Sequence, residues 1–403
     1  MPGNLEFLKY KQNINSNAAE AYRAFTTSTA LSEWLCDQAF VQSEPGGSLF
    51  LWWQNKYCAF GQFTELEPEK KIGFTWQGKD DPSSSRVQVV IKQKEEGIQV
   101  NLIHSELGTG KNWKKTRNQI DNGWQTALGN LKSMLEEGQD ARLARRPMMG
   151  ITGVEPVSDE IAQKHNLPKA KGLLLFGVID GMGAQNAGLH AGDILLKFDG
   201  KKLSRDQDLY QIIEKHKAGD TVKVSFYRDG QKHNTELTFS ERLHYDIPQN
   251  PTDLAVQVEA MYKSLLAEYE LLLKGVSEEK ACAFPAEGEW NIKQVLAHLI
   301  IAEKDTHYWI SALMEDQDSY FEFHANKTER LNAVVSVCPT VNALIKDLKR
   351  NTTETVALIN HLPENFITHK RSYNRLGEFL LSSTFHYQDH IAQIKNITEN
   401  NLP

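Results

Sequence analysis

The chain has 403 residues, 40% hydrophobic and 24% charged, with a formal net charge of −7. That length suits two to four domains with real cores, and the acidic balance argues against nucleic acid as a partner. No apolar run reaches about 18 residues, so no membrane span is expected.

Residues 1–137 show period-2 alternation framed by helices. LEFLKYKQNIN reads as a strand, NAAEAYRAFTT and STALSEWL as helices. DQAFVQ, SLFLWWQ, YCAFGQFTEL, KIGFTWQG, RVQVVIKQ and GIQVNLIHSE follow as strands, punctuated by PGG, EPEK, KDDPSSS and KEEG. DNGWQTALGNLKSMLEEG closes the segment as an amphipathic helix with Trp124, Leu128, Leu131 and Leu135 on its apolar side. Trp52, Trp53 and Trp76, with Trp34 and Trp124, either line a pocket for a small apolar ligand or fill the core. The order of elements, with AAEAYRAFTTSTALSEW, EPGGSLFLW, FTELEPEKKIGFTW and GWQTALGNLKSMLE, resembles the α+β helix-grip fold of the START-like (SRPBCC) superfamily, in its Aha-type activator branch. The resemblance implies a curved sheet wrapped round the last helix, often with an apolar pocket.

EEGQDARLARRP is a charged linker. Residues 147–242 are then rich in glycine and short strands. Gly188 and Gly192 allow tight turns, and Asp193 precedes the apolar Ile194, Leu195 and Phe198 of a strand. AQNAGLHAGDILLKFDGK and AGDTVKVSFYRDG resemble a mostly-β PDZ domain of the bacterial HtrA-like type. The resemblance implies a groove that takes a peptide or protein C-terminus as an added strand. Its carboxylate loop would be Met148, Met149, Gly150 and Ile151. The facing helix would run from about Asp206 to His216, with Leu209 and Ile213 in the groove or core. The other reading is a module that holds its neighbours together without a free ligand.

SERLHYDIPQNPTD is a second linker. Residues 252–400 read as an all-α four-helix bundle, with apolar residues at i, i+3, i+4 and i+7 in 252–275, 290–314, 338–361 and 375–398. His386 and His390 lie four apart and so share one helix face. His298, on another apolar helix, would complete a facial set of three imidazoles with an open coordination position. Zn²⁺, Ni²⁺ or Fe²⁺ suits such a set, and Zn²⁺ is preferred. Asp389, Glu303 and Asp305 are candidate acceptors for the outer ring nitrogens. His307, His324, His361 and His369 read as solvated.

Trp290, the His298–Leu299 pair and the His386, His390, Gln393 run resemble the DinB-like bundle family. In members of known activity the metal activates a small thiol for transfer or isomerisation. The resemblance therefore implies a metal-dependent thiol S-transferase or a related stress or detoxification enzyme. The contrasting reading is a non-catalytic adaptor that captures an apolar ligand and a protein C-terminus. Four widely spaced cysteines without a CxxC pair read as reduced thiols. The N-terminus lacks a basic stretch followed by an apolar one, so a cytoplasmic protein is expected.

Overall fold

The computed structural model describes residues 5–54, 56–286, 288–318 and 326–399. The segment before residue 140 is one antiparallel sheet with three helices. It runs β1 (Leu5–Ile14), α1 (Ala18–Thr26), α2 (Ser28–Trp34), β2 (Gln38–Val41), β3 (Ser48–Trp52), β4 (Cys58–Glu67), β5 (Lys71–Gly78), β6 (Ser85–Gln93), β7 (Ile98–Gly108) and α3 (Lys111–Glu137). The strand order is β1-β7-β6-β5-β4-β3-β2. Side-chain oxygens of Asn17 and Thr27 accept backbone N–H groups in the first turns of α1 and α2, which is why each helix starts there. α3 starts ten residues before the predicted DNGWQ. Trp113, Thr116 and Ile120 extend its buried stripe through a run that reads as merely charged. Gly138, at φ 67°, ends it in the left-handed conformation.

After the one-turn α4 (Ala141–Ala144) comes the second sheet. Its elements are β8 (Ile151–Pro156), α5 (Asp159–Lys164), β9 (Leu173–Val178), α6 (Gly183–Asn186), β10 (Ile194–Phe198), β11 (Lys201–Lys202), α7 (Asp206–Ile213), β12 (Thr221–Arg228) and β13 (Gln231–Thr238). The order β13-β12-β10-β9-β8 leaves β8 at one end, with α7 packed beside it. Asp193 is buried but paired: Arg228 Nε donates to it at 2.6 Å and the His190 N–H at 2.9 Å.

The remainder is helical: α8 (Pro251–Leu273), α9 (Glu278–Cys282), α10 (Ile292–Met314), α11 (Thr328–Val337), α12 (Val341–Asn360), α13 (Glu364–Thr368) and α14 (Lys370–Glu399). The long helices α8, α10, α12 and α14 are the four that apolar spacing predicts. The extra helix α11 buries only Leu331, so it carries little periodic signal.

The chain divides into two compact units. One holds residues 1–141, 247–381 and 391–403, and the other holds 142–246 with 382–390 of α14. Within the first unit the sheet segment and the helices share a buried ionic network. Arg23 Nε donates to Asp316 Oδ2 at 2.9 Å, and its Nη2 donates to Ser372 Oγ at 2.8 Å. Ser372 Oγ in turn donates to Glu33 Oε1 at 2.8 Å. Arg375 pairs with Asp318, whose Oδ1 accepts the Trp309 indole N–H at 3.0 Å. Burial pushes the Glu33 carboxyl up, opposed first by Arg23.

Candidate metal centre

A capping box at Asn291 and Gln294 starts α10, and His298 follows within its second turn. His298 is 6% exposed, and the Trp290 ring lies against it with centroids 5.0 Å apart. On α14, His386 and His390 point the same way: their Nε2 atoms are 3.1 Å apart and their rings cross at 77°. One nitrogen from each of His298, His386 and His390 lies within 4.8 Å of the others. A tetrahedral ion with bonds of about 2.0–2.1 Å sets its ligand nitrogens about 3.3 Å apart. The 3.1 Å pair has about that spacing.

The carboxylates expected to orient these rings have partners of their own. Glu303 accepts from Tyr262 Oη at 3.0 Å and from Thr355 Oγ1 at 2.6 Å. Asp305 holds Arg330 through two bonds of 2.8 and 3.0 Å. Asp389 lies against Thr152 and Gly177 of the second sheet.

Two histidines expected in solvent are not there. The His307 Nε2 meets Thr355 Oγ1 at 2.8 Å, because α12 packs over it. His369 sits 3.5 Å from Glu20, and burial lowers its pKa to about 4 while raising that of Glu20 to about 7. His361 is exposed, with Nδ1 2.8 Å from the Ala357 carbonyl. His324 lies outside the described residues.

A second buried histidine, unannounced by sequence motif, lies in the first sheet. His104 is fully buried. The Trp124 indole N–H donates to its Nδ1 at 3.0 Å, so Nε2 carries the proton and faces Ser85 Oγ at 2.7 Å. Ser85 Oγ donates to the Trp76 carbonyl at 3.1 Å. The pair looks like a serine–histidine dyad, but this tautomer gives the imidazole no lone pair toward the serine. Burial lowers the His104 pKa to about 4.

The tryptophans divide. Trp76 is 5% exposed, among the rings of Trp53, His104 and Trp124, and the Trp53 N–H donates to the Leu35 carbonyl at 2.8 Å. Trp52 alternates with the buried Leu49 and Leu51 and so falls on the outer face. There it follows a cross-strand row of Phe40, Phe50 and Phe60, all exposed.

In the second sheet, Met149 and Leu209 are core residues, 2% and 1% exposed. Met148 bridges to Ser240, while Ile151 and Ile213 are half-buried at the β8–α7 side. Gly150 has φ 81°, and a side chain there would collide with Met182.

Three family models match the chain in succession. "Activator of Hsp90 ATPase homolog 1-like protein" covers residues 15–136, "PDZ domain" 147–239 and "DinB superfamily" 261–394. The chain is a tandem of these three domains.

Curated relatives support the PDZ domain. A probable periplasmic DegP-like serine endoprotease of Marinomonas is 31% identical over 97 residues, covering 24% of this chain and 20% of that protein. The periplasmic pH-dependent serine endoprotease DegQ of Escherichia coli is 34% identical over 94 residues, 23% of this chain and 20% of that protein. The chain thus spans about a fifth of these relatives' length. Among solved structures, the Aha1 dimer from Colwellia psychrerythraea matches at 18% identity and TM-score 0.30, over 33% of this chain and 98% of that one. An HSP90 activator from Plasmodium falciparum matches at 23% and 0.29, over 32% and 95%. Among the described residues no helix is long and apolar enough to cross a membrane.

Proposed function

We propose that the protein is a metal-binding protein whose DinB-like domain holds one divalent transition ion, Zn²⁺ by preference, on His298, His386 and His390. The observation that carries this is the convergence of three imidazole nitrogens from two helices. His298 is buried and His386 and His390 are half-buried, so an ion held there would be partly shielded from water. Three neutral nitrogens leave room for a further ligand, and an ion so held supplies a Lewis acid that lowers the pKa of a bound thiol or water. The domain's family resemblance makes a small thiol the natural cosubstrate, in S-transfer or a related detoxification reaction. Trp290, its ring tilted at 36° beside His298, would supply an apolar wall for such a ligand. The PDZ domain would add a peptide C-terminus along β8, beside α7 and the Gly150 loop. The cysteines at 36, 58, 282 and 338 form no disulfide, which fits a reducing, cytoplasmic setting.

Co²⁺ titration of the untagged, metal-free chain tests the reading. One equivalent should bind with visible bands, and His298→Ala and His390→Ala should each abolish it. Addition of a small thiol should then bring in a sulfur-to-cobalt charge-transfer band. A wild type that takes up no Co²⁺ refutes the site, and bands indifferent to thiols refute the cosubstrate.

A further inference from the structure

Asp389 occupies a special place on α14: it directly precedes His390 and lies three residues after His386. Its carboxylate closes over the backbone of β9. A Cβ added at Gly177 would lie 2.9 Å from Asp389 Oδ1 and 2.7 Å from Thr152 Oγ1, closer than real side chains come. Gly177 is not among the positive-φ glycines, so its backbone conformation makes no demand for glycine. A side chain there would press on the Thr152 hydroxyl and the Asp389 carboxylate, so glycine leaves room for both. Gly177 pairs with Gly153 across β8 and β9, and the register of β8 shifts on both sides of that pair. The same stretch of α14, Ser382–His390, forms one compact unit with the PDZ domain.

We propose that Asp389 is a positioning residue for the metal centre, seating the His386–His390 segment on the PDZ strands β8 and β9. This rests on the metal reading above. It makes those strands part of the scaffold that sets the distance and angle of two ligands. The outer edge of β8 is also where a peptide would add, so the two binding events share a free energy. Linkage makes that sharing reciprocal: whatever firms the strands favours the ion, and the ion firms the strands.

The full chain with Co²⁺ as probe provides the test. Asp389→Ala removes the seat from the α14 side, and Gly177→Val fills the same space from the PDZ side. Each should weaken Co²⁺ affinity by about tenfold or more and shift its visible bands. Asp389→Asn, which keeps the shape, should restore most of both. In the wild type, Co²⁺ loading should slow amide exchange in 151–156 and 173–178, and in Asp389→Ala it should not. A purely structural role would lower stability while leaving the bands of the loaded protein unchanged. Wild-type affinity and bands in Asp389→Ala, or strand exchange indifferent to the ion, overturn the proposal and leave the metal site standing. A wild type that binds no Co²⁺ overturns both.

Discussion

His104 in the first sheet and His298 in the bundle are buried to a similar degree, 0% and 6% exposed, yet their rings keep different company. His104 has a donor on one nitrogen and an acceptor on the other, supplied by Trp124 and Ser85. That arrangement is complete with one proton and fixes one tautomer. His298 meets two more imidazoles, and the Nε2 atoms of His386 and His390 face each other at 3.1 Å. One cation placed among them would be shared by all three. Burial of a histidine therefore says little about function by itself. The kind of atom opposite each nitrogen decides.

The contrast can be broken by experiment. His104→Ala should have the largest effect on folding, about 3–5 kcal/mol by urea denaturation, from a lost ring and a stranded indole N–H. Metal content should stay at the wild-type value; a loss would mean that the two regions are not independent.

The pH response comes next. The folded His104 pKa of about 4 lies below the unfolded value of 6.5, so the unfolded chain binds the extra proton first. Its contribution is full above pH 6.5 and is lost as the pH falls toward 4, by up to about 3 kcal/mol. His104→Gln should flatten that part of the stability profile.

A saturating ion acts at the three histidines of the bundle. At 100-fold excess over its Kd, Zn²⁺ should raise unfolding stability by about 2.7 kcal/mol. The gain should vanish in His390→Ala and persist in His104→Gln. The smallest effect belongs to the exposed His361, where Ala should change stability by no more than about 0.5 kcal/mol and metal affinity not at all.

Sequence pattern reaches much of this but stops at definable points. The four long helices are legible because their apolar residues recur with helical period. The His386–His390 pair is legible because four residues make about one turn. Trp52 is not assignable to a face, since Leu49, Phe50, Leu51 and Trp52 are all apolar and alternation carries no signal there. His307 and His369 stand among polar neighbours, so only packing reveals that α12 and Glu20 cover them. The Arg23–Asp316 pair joins residues 293 apart, and Asp389 meets Gly177 across two domains' worth of sequence. Neither contact leaves a local pattern.

The metal reading rests on three histidine ligands around one ion. X-ray absorption at the zinc edge of the reconstituted, untagged protein tests it most directly. Three imidazole ligands at about 2.0 Å, seen by their multiple scattering, and one oxygen donor are expected. A shell without imidazole scattering, or one dominated by protein sulfur, would contradict it.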